Sequence, residues 1–113
     1  MKKLIKLMCV FALGFYSISP VYAGFKEHFD LGQQYLSNYQ YSGAITEFKS
    51  ALRINYLDNS ARIGLINSYL ARGTYYANTD KDYKKAADDY RAALFYLVYY
   101  PNVNQVKNSS QAI

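Results

Sequence analysis

A chain of 113 residues has room for one domain, and its single cysteine and single histidine exclude a disulfide framework and a multi-histidine metal centre. The formal charge of +5 points to a basic protein, yet three of the thirteen basic residues, Lys2, Lys3 and Lys6, stand at the very start. Without them ten lysines and arginines face eight acids, leaving about +2, too little to steer the chain to nucleic acid.

Those three lysines open a recognisable address. Leu4 to Tyr16 is almost wholly apolar, and Ser17 to Ala23 contains Pro20 and ends in a small residue, so residues 1-23 have the three-part layout of a secretory signal peptide. The apolar run is shorter than the roughly 20 residues needed to span a bilayer. Cleavage after Ala23 is therefore expected, with Gly24 as the first mature residue; an uncleaved membrane anchor is the competing reading. Cys9 follows Lys6, Leu7 and Met8 rather than the small residues of a lipoprotein signal, and it leaves with the signal. The mature protein is expected in the periplasm or, failing a second membrane, outside the cell or at its surface, held by packing without disulfides.

Four helices can be read from spacing in the remainder. From Phe25 to Ser37, the positions Phe25, His28, Phe29, Leu31, Gly32, Tyr35 and Leu36 recur at three and four residues, and Asn38 suits a left-handed terminating residue. From Tyr41 to Ile54, the stripe is Tyr41, Ala44, Ile45, Phe48, Ala51 and Leu52, with Glu47, Lys49 and Arg53 facing away. Asp58 or Asn59 caps a third helix carrying Ala61, Leu65, Ile66, Tyr69 and Leu70, which Gly73 is expected to close. The fourth begins near Asp82, after the acceptor-rich Asn78-Thr79-Asp80, and runs through Tyr83, Ala86, Ala87, Tyr90, Ala93 and Leu94 to about Tyr100, where Pro101 stops it. Residues 101–113 lack periodicity and read as a disordered tail, with an Asn108-Ser109-Ser110 sequon that matters only in a glycosylating host.

The motif His28-x2-Leu31-Gly32-x2-Tyr35 followed by Ala44-x3-Phe48-x2-Ala51 resembles the unit of the tetratricopeptide repeat family. His28 stands where that family often has Trp, and Tyr56 where it often has Pro. A second, less regular unit repeats the pattern. Leu65 and Tyr69 lie 34 residues after Leu31 and Tyr35, whereas Ala86, Tyr90 and Ala93 lie 42 after Ala44, Phe48 and Ala51. Eight extra residues are thus expected between the paired helices, within Thr74 to Lys81, either as a binding elaboration or as a plain surface loop. Ile66 takes the place of the small contact residue, with Gly64 two positions earlier.

The resemblance implies an all-α fold of two antiparallel helical hairpins in a right-handed solenoid, residues 24–58 and 59–100, behind a signal helix. It implies a non-catalytic adaptor that binds a protein or peptide. Its concave face would carry Lys26, Phe29, Gln33, Leu36 and Ser37 from the first helix, then Ser60, Ile63, Asn67, Leu70 and Ala71 from the third. Only Asn67 and Lys26 correspond to the Lys, Arg and Asn set with which family members grip a terminal carboxylate. An extended or helical peptide held by apolar contacts and by the Gln33 and Asn67 amides fits better. Phe29, Ile63 and Leu70 could equally pack on neighbouring helices.

The run from Ala92 to Tyr100 is apolar around the whole helix, so half of it needs cover. Self-association or partner docking through Phe95, Tyr96, Tyr99 and Tyr100 is one answer; a third hairpin in a longer natural chain is another, since such stacks generally need three repeats. Catalysis finds little support. His28 sits at a repeat position, Asp88 and Asp89 diverge by about 100° on their helix and read as a solvated edge, and no cofactor motif occurs. Asn78, Asp80, Asp82 and Asp89 match oxygen positions of a calcium loop, but Tyr83 replaces the obligatory Gly, so helix capping is preferred to metal binding. Nucleic acid is not expected as a partner, and membrane only if the signal stays uncleaved.

Overall fold

The structure, a computed structural model, describes residues 24–101. The expected signal segment, the expected tail from Asn102 and the Asn108 sequon lie outside the described residues. Four helices follow one another, α1 Phe25–Ser37, α2 Tyr41–Ile54, α3 Asn59–Tyr75 and α4 Tyr83–Leu94, and the described residues contain no strand. Widened π-helical segments, Tyr76–Asp80 and Phe95–Tyr99, prolong α3 and α4. In the second, the Tyr100 N–H reaches back to the Phe95 carbonyl at 2.9 Å.

Side-chain contacts fix the directions. Gly32 and Gly43 of α1 and α2 meet Phe48 and Tyr35; Ser42 and Gly64 meet Arg72 and Phe48 across α2 and α3; Gly73 and Tyr69 meet Tyr90 and Tyr96 across α3 and the α4 end. In each pair one number rises as the other falls, so every helix is antiparallel to the next. α1 also touches α3.

The core lies along α2. Ala44, Phe48 and Ala51 are fully buried, and Ile45 and Leu52 nearly so, while α3 contributes Ala61, Leu65, Ile66 and Tyr69 and α4 contributes Ala86 and Ala93. Phe48 is the wedge of the packing. A Cβ on Gly32 would lie 2.7 Å from its ring, and one on Gly64 2.6 Å away, so α1 and α3 close on the two sides of one ring only because both lack a side chain there. Burying that phenyl group contributes about 2–3 kcal/mol.

Several expectations are corrected. Asn38 is not left-handed (φ −96°); its N–H still bonds the Gln34 and Tyr35 carbonyls, and the chain reverses one residue later at Tyr39, φ 62°. Tyr39 N–H to Leu36 O at 3.1 Å and Gln40 N–H to Tyr35 O at 2.8 Å complete a Schellman closure in which tyrosine stands where glycine is usual. Gly73 does not close α3. It is interior and buried, facing Tyr90 closely enough that a Cβ would be 2.8 Å from the ring, so it does for the α3 and α4 contact what Gly32 and Gly64 do for α2. The extra residues from Thr74 onward are therefore no loop: they continue the helix to Asp80, and left-handed Lys81 (φ 55°) turns the chain into α4.

The capping reading holds at Asp58, whose Oδ1 accepts from the Ala61 N–H at 2.8 Å; at α4 the cap is Asp82 itself, which accepts from the Lys85 N–H at 3.1 Å, and not the acceptor-rich Asn78-Thr79-Asp80, which lies within the preceding helical extension. Gly24 caps α1 in half a capping box: its N–H donates to Glu27 Oε1 at 2.9 Å, with no side chain to reciprocate.

Candidate functional site

The expected concave residues occupy two stripes on helices that touch. Lys26, Gln33 and Ser37 of α1 and Ser60, Asn67, Ile63 and Leu70 of α3 are exposed, the last two by 48% and 42%. Gln33, Gln34, Leu36 and Ser37 line a shallow depression of about 500 Å³. Lys26 is tied to Asp30 at 2.6 Å, one turn along its own helix. Phe29 and Leu36 are half-buried and pack against the core, Phe29 stacking on Phe25 and meeting Phe48 edge-on. These two are shared between core and surface; Ala71 is likewise half-buried.

Other repeat positions divide in the same way. Gly32, Ala44, Phe48, Ala51, Leu65, Tyr69, Ala86 and Ala93 are buried, and Tyr35 is half-buried against Gly43. Leu31 and Tyr90, expected inside, are each 40% exposed. Both lie on outer helices: α1 has no described neighbour on its far side, and neither has α4. His28 is held by Glu47, donating from Nδ1 to Oε1 at 2.7 Å, so Glu47 turns inward instead of facing away. Lys49 also leans in, its Nζ 5.8 Å above the Tyr69 ring.

A second surface was hidden from sequence reasoning. Arg72 donates from Nε and Nη2 to both oxygens of Asp89, at 2.9 and 2.8 Å, and from Nη1 to Ser42 Oγ at 2.9 Å, tying α2, α3 and α4 together. The Asp89 hydrogen bond and charge hold the guanidinium proton above its ordinary affinity, against the opposing pull of partial burial. Asp89 is 4% exposed and so is no solvated edge; Asp88 keeps that role, paired with Lys84 and Arg91 at 3.0 Å. Above this clamp Tyr39, Tyr41, Tyr75 and Tyr76 surround an open pocket of about 540 Å³, completed by Gln40, Ser42, Gly43 and Arg72. The helical extension supplies two of its four rings. The signal available in the sequence was the Tyr75-Tyr76 pair at the start of the extra residues.

At the end of α4 the proposed contact residues separate. Tyr96 stacks on Tyr69 with centroids 6.1 Å apart, and it and Tyr100 are half-buried against the core, whereas Phe95 and Tyr99 stay 46% and 71% exposed. Burial raises the Tyr96 and Tyr100 hydroxyls above the usual tyrosine range. Tyr96, Tyr100, Tyr56, Leu52, Lys49 and Arg53 border a groove of about 410 Å³ between the ends of α2 and α4.

Asn78 and Asp80 lie in the helical extension, Asp82 caps α4 and Asp89 faces Arg72, so the calcium-loop residues are spread over three tasks. No group of three His, Cys, Asp or Glu among the described residues converges on a metal position. No described helix is long and apolar enough to cross a membrane. Comparison of the chain with protein-family models, with curated proteins and with solved structures gives no match.

Proposed function

We propose that this chain is an exported protein-binding module of the tetratricopeptide type, which holds an extended or helical peptide across the exposed stripes of α1 and α3. The observation that carries the reading is the pairing of Ile63 and Leu70, apolar and nearly half exposed, with the Asn67 amide between them and Gln33 on the adjoining helix. Apolar side chains fixed on rigid helices give affinity, and amides among them give register along a peptide backbone. The close helix contacts at Gly32, Gly64 and Gly73 agree with the reading, because a stack of hairpins presents surfaces in place of enclosed catalytic clefts. Export rests on the layout of residues 1-23.

The test is affinity capture from envelope extracts with quantitative mass spectrometry, comparing wild type, an Ile63→Asp, Leu70→Asp variant and a Leu94→Asp variant. The three substitutions fall on exposed positions, and circular dichroism checks that both variants stay folded. Partners retained by wild type and Leu94→Asp but lost from the Ile63 and Leu70 variant support the proposal. An identical set on all three sinks it.

A further inference from the structure

α2 and α4 hold equivalent places 42 residues apart: Tyr41, Ile45, Phe48 and Leu52 correspond to Tyr83, Ala87, Tyr90 and Leu94. On α2 the last three of these are 6, 0 and 4% exposed, because α1 packs on one side and α3 on the other. α4 has only α3. Its Tyr83, Tyr90 and Leu94 are 65, 40 and 53% exposed, and Leu97, in the widened segment that follows, is 56% exposed. Within the α-helical part of the element, residues 83, 87, 90 and 94 follow a four-three-four spacing, the seam with which one helix meets another.

What can seat there is limited by the other end of the molecule. The helix that follows α2 presents Ala61, Gly64, Leu65 and Ser68, all buried, and Gly64 leaves no space for a Cβ. Thirty-four residues earlier, α1 carries Glu27, Asp30, Leu31 and Gln34 in the same places, all exposed. Stacking α1 of a second copy on α4 would press the Asp30 carboxylate onto the Tyr90 ring, so head-to-tail growth is blocked. Residues 102–113 carry only Val103, Val106, Ala112 and Ile113 as apolar side chains, so that stretch by itself does not cover the seam.

We propose that α4 pairs with α4 of a second copy, antiparallel about a two-fold axis at Tyr90. In that register Leu94 of one copy faces the small Ala87 of the other, Tyr83 reaches the widened segment that follows Leu94, and Asp88 comes beside Arg91, so the charges that flank the seam alternate in sign. Tyr83, Tyr90 and Leu94 lie on this seam, each 40% or more exposed, so the pairing takes a continuous apolar stripe out of water. The pairing is independent of what α1 and α3 hold.

Light scattering on the chain as recovered from cells, its N-terminus read by mass spectrometry, tests this across roughly 1–200 μM, the range that brackets micromolar association. The expected result is a dimer, with association weakened at least ~100-fold in a Leu94→Asp, Leu97→Asp variant whose helix content is unchanged. On a Cys9→Ser background, Tyr90→Cys should form disulfide-linked dimers under mild oxidation. Tyr83→Cys should not, because an antiparallel seam separates its two copies by about 20 Å. A monomer throughout, masses that keep growing with concentration, a double variant as dimeric as wild type, or equal linking at 83 and 90 would each overturn the proposal.

Discussion

Phe48 concentrates the packing at a single residue, and its two glycine neighbours were legible only in part. The motif showed Gly32 as a contact position, whereas Gly64 stood out merely as a glycine near the wrong place, since Ile66 held the repeat position. Periodicity assigns a residue to a face of its helix but not to a partner, and Gly64 faces α2 while Gly73 faces α4. Gly64→Ala should cost about 1–3 kcal/mol in urea unfolding, because its methyl group meets a ring wedged from behind by α1 and unable to retreat. The Arg72 and Asp89 clamp shows the converse limit. Neither residue belongs to a hydrophobic stripe, and their meeting depends on the crossing of α3 and α4, which residue spacing does not encode.

Helix identities were readable because apolar side chains recur at three and four residues in every element; terminations were less so. The chain-reversing residue after α1 is Tyr39 where Asn38 had the better propensity, and α3 runs through Gly73 because a glycine can serve close packing without ending a helix. A tyrosine held at φ 62° costs about 1 kcal/mol relative to a residue free of the Cβ clash. Tyr39→Gly should therefore leave the protein as stable as wild type or up to ~1 kcal/mol more so in thermal unfolding, while it removes one wall of the tyrosine pocket. A loss of several degrees in melting temperature would show that the ring contributes packing that outweighs the strain. On the same scale, burial of the Tyr96 hydroxyl has a defined sign: its raised pKa favours the neutral form, so its contribution is intact at neutral pH and is lost as pH climbs past 10 and through the raised value.

For the whole molecule, the proposed export would have a structural consequence at the first described residue. Gly24 caps α1, and its N–H donates to Glu27, whose carboxylate is held below its ordinary pKa by hydrogen bonds from its own N–H and from Gly24. Cleavage after Ala23 would turn that amide into an ammonium at the positive end of a helix dipole, where a carboxylate within reach is the stabilising partner. Intact-mass analysis of secreted material should find a chain beginning at Gly24; one beginning at Met1 would favour the anchored reading. At a still larger scale, a phenyl ring gripped from opposite sides forbids piecemeal loss of structure: stripping either hairpin away would bare the same surface that the remaining hairpin needs. Heat or denaturant should thus find one cooperative unit, although the chain is written as two copies of a motif.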